Sequence, residues 1–491
     1  MRKESPMTRK IISVLLCVML CVSLAACASA EQPENGPAGT QNEEADTPET
    51  DALPEDNETS RVISKDDIEI TDTVESTEDG EHAIIADGES LSYSNTAVNK
   101  TGESSGDEAD FYGVNSAVFA TDGGSLDLSG MIITTDGTHA NAVFSYGSGT
   151  TVTIKDSVIE TYGNCSGGIM TTGGGTMIAE GLNIHTTGNS SAAIRSDRGG
   201  GTVTVTGGSY VTDGRGSPAI YSTADITVND AYLESTSSQG VVVEGKNSVT
   251  LNDVELVADN NSKNSDKSSW YQAVMIYQSM SGDAAEGLSS FSMNGGSLTN
   301  RNGDVFFVNN TVTEISLKGT EIVNEDEEGV FLRAAAAGWG REGSNGGQVT
   351  LTAEEQEISG EMLVDDISNL NLILKSGSDF TGSINPEGEQ GQVYVEIDGT
   401  SKWVLTSDSY ITGLSCGDGA VELNGHKLYI NGESYGGGAS EGERIEAVIS
   451  SGGGHGEAPP DGGNGGPGGQ PPEGGPGGQP PEGGPGGPPP G

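Results

Sequence analysis

The sequence predicts an all-β chain wound as a right-handed parallel β-helix, a solenoid of about 13 coils with three short strands in each. Three observations predict it. A short phrase built on a β-branched residue returns at steps of 25, 26, 25, 26 and 21 residues through the middle of the chain. Only Pro218 and Pro386 interrupt residues 61–450, a stretch rich in Thr, Val and Ile, as long continuous sheet requires. Hydrophobic residues are only 33% of the chain, so the core must be drawn out along a long object rather than gathered into a ball.

The first 60 residues read as address and tether. Arg2, Lys3, Arg9 and Lys10 precede an apolar run, Ile11 to Ala26, too short for a membrane span. The run ends in Leu24-Ala25-Ala26-Cys27, which resembles the bacterial lipobox. That resemblance implies a signal peptide over 1–26 and a lipid on Cys27, with Cys17 and Cys21 leaving with the signal. The alternative is an ordinary secretory signal cleaved near Ala28 or Ala30. Residues 28–60 hold ten Asp/Glu and no Lys or Arg, so 27–60 is expected to be a disordered, self-repelling spacer. The chain is thus expected to be exported and held at the bacterial cell surface, touching the membrane only through the lipid.

The repeat itself fills 61–436. Its first phrase is Ala117-Val118-Phe119, Ala142-Val143-Phe144, Gly168-Ile169-Met170, Ala193-Ile194-Arg195, Ala219-Ile220-Tyr221 and Gly240-Val241-Val242. It returns at Ala273-Val274-Met275, Asp304-Val305-Phe306 and Gly329-Val330-Phe331. A second phrase follows it, as in Val152-Thr153-Ile154 and Val203-Thr204-Val205, and a third, as in Val158-Ile159-Glu160. Each is a period-2 strand bounded by Gly, Asp, Asn and Ser turns. One coil cannot bury its own apolar face, so coils stack at ~4.8 Å and stabilise one another. Alternation sends the middle residue of phrase one inward, Val118 to Val330. It sends the next residue outward: Phe119, Phe144, Met170, Arg195, Tyr221, Val242, Met275, Phe306 and Phe331. Cys165 and Cys416 fall about ten coils apart, roughly 45 Å, and cannot pair.

Several stretches resemble a known family: Ala193-Ile194-Arg195-Ser196-Asp197-Arg198, Ser217-Pro218-Ala219-Ile220-Tyr221-Ser222, Val243-Glu244-Gly245-Lys246-Asn247-Ser248 and Val274-Met275-Ile276-Tyr277-Gln278-Ser279. They look like adhesin-like β-helix lipoproteins of clostridia and relatives, over roughly 83–435. The resemblance implies a pectin-lyase-like fold and a surface-exposed, non-catalytic role. More loosely, the coils are similar to clostridial carbohydrate-binding β-helices, which suggests polysaccharide as the ligand.

Residues 451–491 hold 19 Gly and 12 Pro, and Gly465-Gly466-Pro467-Gly468-Gly469-Gln470-Pro471-Pro472-Glu473 repeats. Gly does not occupy every third position, so this is not collagen. A disordered Gly/Pro-rich tail is expected over 437–491, with a solubilising or a wall-spanning role.

Charge excludes other partners. Lys+Arg is 22 and Asp+Glu is 73, a formal charge of −51. Such a field repels nucleic acid and anionic lipid. It also makes calcium a candidate cofactor, by relief of self-repulsion, although no calcium motif is visible. The five His are scattered, with no paired spacing for zinc. No other cofactor is expected, and the chain is expected to be a monomer.

Enzymes of this fold need acids at equivalent outward positions of successive coils. The outward column of phrase two instead runs Asp127, Thr153, Ile178, Thr204, Thr227, Thr250, a ladder mostly of hydroxyls. Glu160 and Glu234 are three coils apart. Arg195-Ser196-Asp197-Arg198 is the best polar cluster, either a patch for a carboxylate or a turn with a local ion pair. No catalytic residue is assigned.

Two features point to binding. The outward stripe, with Tyr221, Phe306 and Phe331, could stack on successive sugar rings, unless a loop folds over it. Long turns at 277–289 and 334–347 sit at one corner two coils apart. They would wall a cleft with Tyr277, Met280, Trp339 and Arg341, whereas Trp270 and Tyr271 sit at another corner. The expected function is a non-catalytic surface β-helix that binds polysaccharide or a host or neighbouring cell surface. The alternatives are a polysaccharide lyase or hydrolase of this fold, and a structural envelope spacer.

Overall fold

The structure is a computed structural model that describes residues 62–267, 270–279, 281–388 and 390–447. These all belong to the larger of two compact units, 58–491. The expected signal peptide, Cys27, the tether, Met280 and residues 448–491 lie outside the described residues.

The chain is a parallel β-helix, as the repeat predicts. Three strands per coil build three faces. The first face is a 14-stranded parallel sheet running from Ile84–Asp87 to Val421–Glu422. The second and third faces join into a 21-stranded sheet, because Gly175–Thr186 and Gly201–Thr212 each run straight through the corner between them. That corner is made by one left-handed residue per coil: Asp156, Gly181, Gly207, Asp230 and Asp253, with φ of 44°, 62°, 66°, 50° and 50°. Asp and Gly tolerate that conformation better than other residues, which is why the turn needs no further residues.

The corner between the third and first faces is a close-packed six-residue turn. Thr161-Tyr162-Gly163-Asn164-Cys165-Ser166, Thr186-Thr187-Gly188-Asn189-Ser190-Ser191 and Thr212-Asp213-Gly214-Arg215-Gly216-Ser217 stack in register. Each serine hydroxyl makes two bonds to the preceding coil, accepting one and donating the other. Ser166 N donates to Ser191 Oγ at 2.9 Å and Ser191 N to Ser217 Oγ at 2.9 Å. The hydroxyls donate in turn to the corner glycine one coil back, Ser191 to Gly163 O at 3.1 Å and Ser217 to Gly188 O at 2.8 Å. Backbone groups that would otherwise be buried without partners are thereby satisfied.

The interior of the first face is a column of registered side chains: Val118, Val143, Ile169, Ile194, Ile220, Val241 and Val274. The column then departs from the sequence reading. Val274 pairs with Phe306, and Phe306 with Leu332. Phe306 and Phe331 are therefore core residues, 0% and 1% exposed, and not outward ligand-binding residues. Their outward places go to Phe307 and Arg333. The physical cause is period 2, since a one-residue slip exchanges the two faces of a strand. Phe306 fills the interior against Phe291 and Phe331, at ring distances of 5.6 and 5.5 Å. Phe331 sits at a register irregularity between Val330 and Leu332.

The coils narrow toward the end. Val118 pairs with Val143, but Asp379 with Lys402 and Trp403 with Val421. The stack finishes in an antiparallel hairpin, Leu428–Ile430 with Glu433–Ser434. The tail boundary expected at 437 moves, because residues 440–445 return along the last coils. Cys416 pairs with Ser440, Arg444 binds Glu396 at 2.9 Å, and Ile445 N donates to Asn371 Oδ1 at 2.9 Å.

Candidate ligand-binding cleft on the first face

The outward stripe of the first face exists but is covered. Phe119, Phe144 and Met170 form one buried cluster with Tyr146 beside it. The cover is the insertion between the first and second coils, which carries the short helix Asp107–Phe111. His82 stacks on Phe119 at 4.6 Å, Tyr112 meets Tyr146 at 5.7 Å, and Thr172 Oγ1 donates to Phe111 O at 2.7 Å. Arg198 lies 3.7 Å over the Phe111 ring and bonds Asp107 at 2.9 Å and Asp283 at 2.6 Å. Of the two alternatives for the stripe, coverage is the one found here.

Farther along, the face opens. Val242, Met275, Tyr277, Phe307 and Ala335 form a second cluster, flanked by Tyr221, Trp270 and Trp339. Over it lies a cleft of about 300 Å³. Its floor is Tyr221, Val242 and Met275, and its walls are two loops arriving from opposite corners. One loop, 259–271, brings Trp270, Lys263 and Lys267. The other, 334–347, brings Trp339. They touch where Gly338 N donates to Lys267 O at 2.6 Å. Trp339 meets the Tyr277 ring edgewise at 5.2 Å, and Lys267 stands 5.8 Å over Trp339. Trp270 lies 5.5 Å from the Phe307 ring, with Arg333 at 4.6 Å.

Tyr277 and Trp339, expected together from the loop lengths, do line one cleft, and Tyr221 of the outward stripe joins them, but the walls differ. The corner between the long turns is sewn shut: Asn310 bonds Gln278 O at 2.9 Å, and Asn345 N–H groups hold Ala337 O and Trp339 O at 2.7 and 2.8 Å. Those bonds curl the second loop back over the face. Arg341 is left exposed at the loop tip, outside the cleft lining. Loop 277–289 turns the other way, toward Arg198 through Asp283. Trp270, assigned to another corner, reaches the cleft from there.

No family model, curated protein or solved structure matches the chain.

Beneath the cleft floor lies a buried polar cluster. Glu244, 1% exposed, accepts from the hydroxyls of Tyr221 and Tyr277, the latter at 2.9 Å, while its Oε1 has no hydrogen-bond partner among the described residues. Burial pushes both tyrosine hydroxyls well above their ordinary value, so they stay protonated donors. Arg195 and Asp197 pair at 3.0 Å, so the turn holds the local ion pair that was one reading of its sequence. Burial, helped by the nearby Asp283 and Glu244, pushes the Asp197 carboxyl up to about 6 against the pull of Arg195. Its folded pKa lies above its unfolded one, so the stability it lends is full below about pH 4 and lost as pH rises through about 6. Asp197→Asn lacks that dependence. The melting temperature of Asp197→Asn minus that of the wild type should therefore rise between pH 4 and 7, and a flat difference would refute the assignment.

Among the described residues, one grouping of metal-ligating side chains occurs: Asp110, His139 and Cys165. Sequence reading passed over it because it looked for ligand spacing along the chain. The signal was present in the repeat. His139 and Cys165 occupy the same step of successive tight corners, each with φ of 56°.

Proposed function

We propose that the chain is a surface β-helix module that binds one or two sugar residues of a polysaccharide in the first-face cleft. The observation that carries this reading is the convergence of Trp270, Trp339, Tyr221 and Tyr277 on one cavity of sugar size. Aromatic faces cover the apolar faces of sugar rings, and side-chain amides take the hydroxyls. Gln239, Asn260 and Gln272 line the same cleft, and Gln272 Oε1 is buried with no partner among the described residues. Lys263 and Lys267 stand at the rim of an otherwise acidic chain, which favours a sugar carrying a carboxylate. Binding is preferred over turnover because neither Asp197 nor Glu244 lines the cleft, and each is almost fully buried. The resemblance to adhesin-like lipoproteins and the Cys27 lipobox support placement at the cell surface, anchored by lipid.

The test is a glycan array with neutral and uronate-containing polysaccharides, run with calcium and with chelator, while released sugar is monitored. Trp339→Ala and Trp270→Ala should each weaken binding about tenfold or more, the worth of one stacked ring at ~1.4 kcal/mol. Tyr162→Ala, exposed on the third face, should leave affinity unchanged. Wild-type affinity in both tryptophan variants would sink the cleft, and sugar release would replace this reading with an enzymatic one.

A further inference from the structure

We propose that Asp110, His139 and Cys165 form a site for a borderline-soft divalent cation, with zinc the best fit, pinned between the solenoid and the insertion that covers it. Each residue offers one ligand atom, and the three atoms lie within 4.8 Å of one another. The set arises from three separate places. His139 and Cys165 come from stacked corners, where Cys165 follows His139 by one coil and His139 N donates to Asn164 O at 2.9 Å. Asp110 comes from the short helix Asp107–Phe111 of the covering insertion.

A second observation points into the site. His139 is nearly buried, its side chain 11% exposed, and its Nδ1 lies 2.9 Å from Asp110 Oδ1. Asp110 is its partner there, and no other hydrogen-bond partner of Nδ1 occurs among the described residues. An imidazole nitrogen, a carboxylate and a thiol brought this close together by three separate segments form a ready-made set of metal donors. Cys165 is a free thiol, half-buried. Arg195 is near both Asp110 and Cys165, but Asp197 already neutralises it at 3.0 Å.

The donor chemistry selects the ion. One thiolate, one imidazole and one carboxylate suit zinc and its first-row neighbours, whereas calcium and magnesium take oxygen alone. Three protein ligands leave a fourth position for water or an incoming group. On binding, sulfur loses its proton to solvent and forms the sulfur–metal bond, and no redox change occurs. Structurally, the ion would tie the insertion to two coils at once. It would thereby hold the cover over Phe119, Phe144 and Met170.

The test uses the full chain, stripped of metal with chelator and titrated with Co2+. One equivalent should produce the sulfur-to-cobalt charge-transfer band in the near ultraviolet and the visible bands of tetrahedral cobalt, and Zn2+ should abolish both. Cys165→Ser should remove the charge-transfer band, while Cys416→Ser should keep it. Asp110→Asn and His139→Ala should weaken binding at least about tenfold. Asp110→Asn changes only the covering helix, so it serves even where a corner variant misfolds. Absence of the band in the wild-type chain, or its persistence in Cys165→Ser, overturns the site.

Discussion

Gly188→Ala is expected to destabilise the middle of the solenoid by about 3 kcal/mol, the upper end of overpacking costs. The glycine is not required by its dihedral, which any residue could adopt. It is required by what lies above it. A Cβ on Gly188 would overlap the Gly163 carbonyl oxygen of the preceding coil and crowd Ser191 Oγ. Both obstacles are fixed: the carbonyl is backbone, and the hydroxyl is already bonded to Gly163 O and to Asn189 O at 3.1 Å. Relief would have to come from separating the coils, which stretches the serine ladder on both sides. Gly399→Ala is the control, because a Cβ there meets nothing within 4 Å and its φ is ordinary. Urea midpoints measured by circular dichroism should fall clearly for Gly188→Ala and stay near wild type for Gly399→Ala. Equal midpoints would show that the corner has room.

Trp403→Ala should cost about 3–5 kcal/mol, and the loss should stay local. Trp403 is fully buried, stacks on Phe380 at 5.6 Å with the planes 21° apart, and donates from Nε1 to Gly382 O at 3.1 Å. It fills the narrowed coils, where β-branched residues alone would leave a void. Removing it opens a cavity and takes the 3.1 Å indole donor from the Gly382 carbonyl, which keeps only Thr406 N at 3.4 Å. The strands of each coil pair only with those of neighbouring coils, so the damage should not reach the other end. Hydrogen exchange should accelerate over Gln392–Ile397 and Lys402–Leu405 while Val143–Tyr146 and Ile169–Thr172 keep wild-type protection. Uniform acceleration would mean that the solenoid unfolds as one unit.

These residues also show what the sequence made legible. The fold was readable because one β-branched residue recurs at nearly constant spacing, and a stack of coils is the structure that makes such spacing pay off in burial. The slip at Phe306 was not readable. Asp304-Val305-Phe306 matches the repeated phrase in letters, and only the pairing of Gln272 with Asp304 shows that it is offset by one. The covered stripe was hidden because the covering segment, 101–117, has no period of its own and sits between two good repeats. The cleft was half visible: Tyr277 and Trp339 stood out by residue type and loop length. Trp270 was set aside on the assumption that loops from different corners do not meet. The corner motif Thr-x-Gly-x-x-Ser was in plain view, with Ala140 in the serine place of one earlier corner, and lining up its fifth position would have placed His139 beside Cys165.

The end of the stack carries one more consequence. A parallel β-helix exposes at its last coil the same row of unpaired amide and carbonyl groups that built every coil before it. Nothing in the repeat itself says where to stop. Here the hairpin at Leu428–Ile430 reverses strand direction, and residues 440–445 lie back across the final coils through Ser440, Arg444 and Ile445. On the three-stranded sheet that this hairpin closes, a second molecule seeking to add its first strand would meet an edge running the wrong way. The terminus thus acts as a chain stopper: it marks where the stack of coils ends and opposes end-to-end growth of one molecule on another.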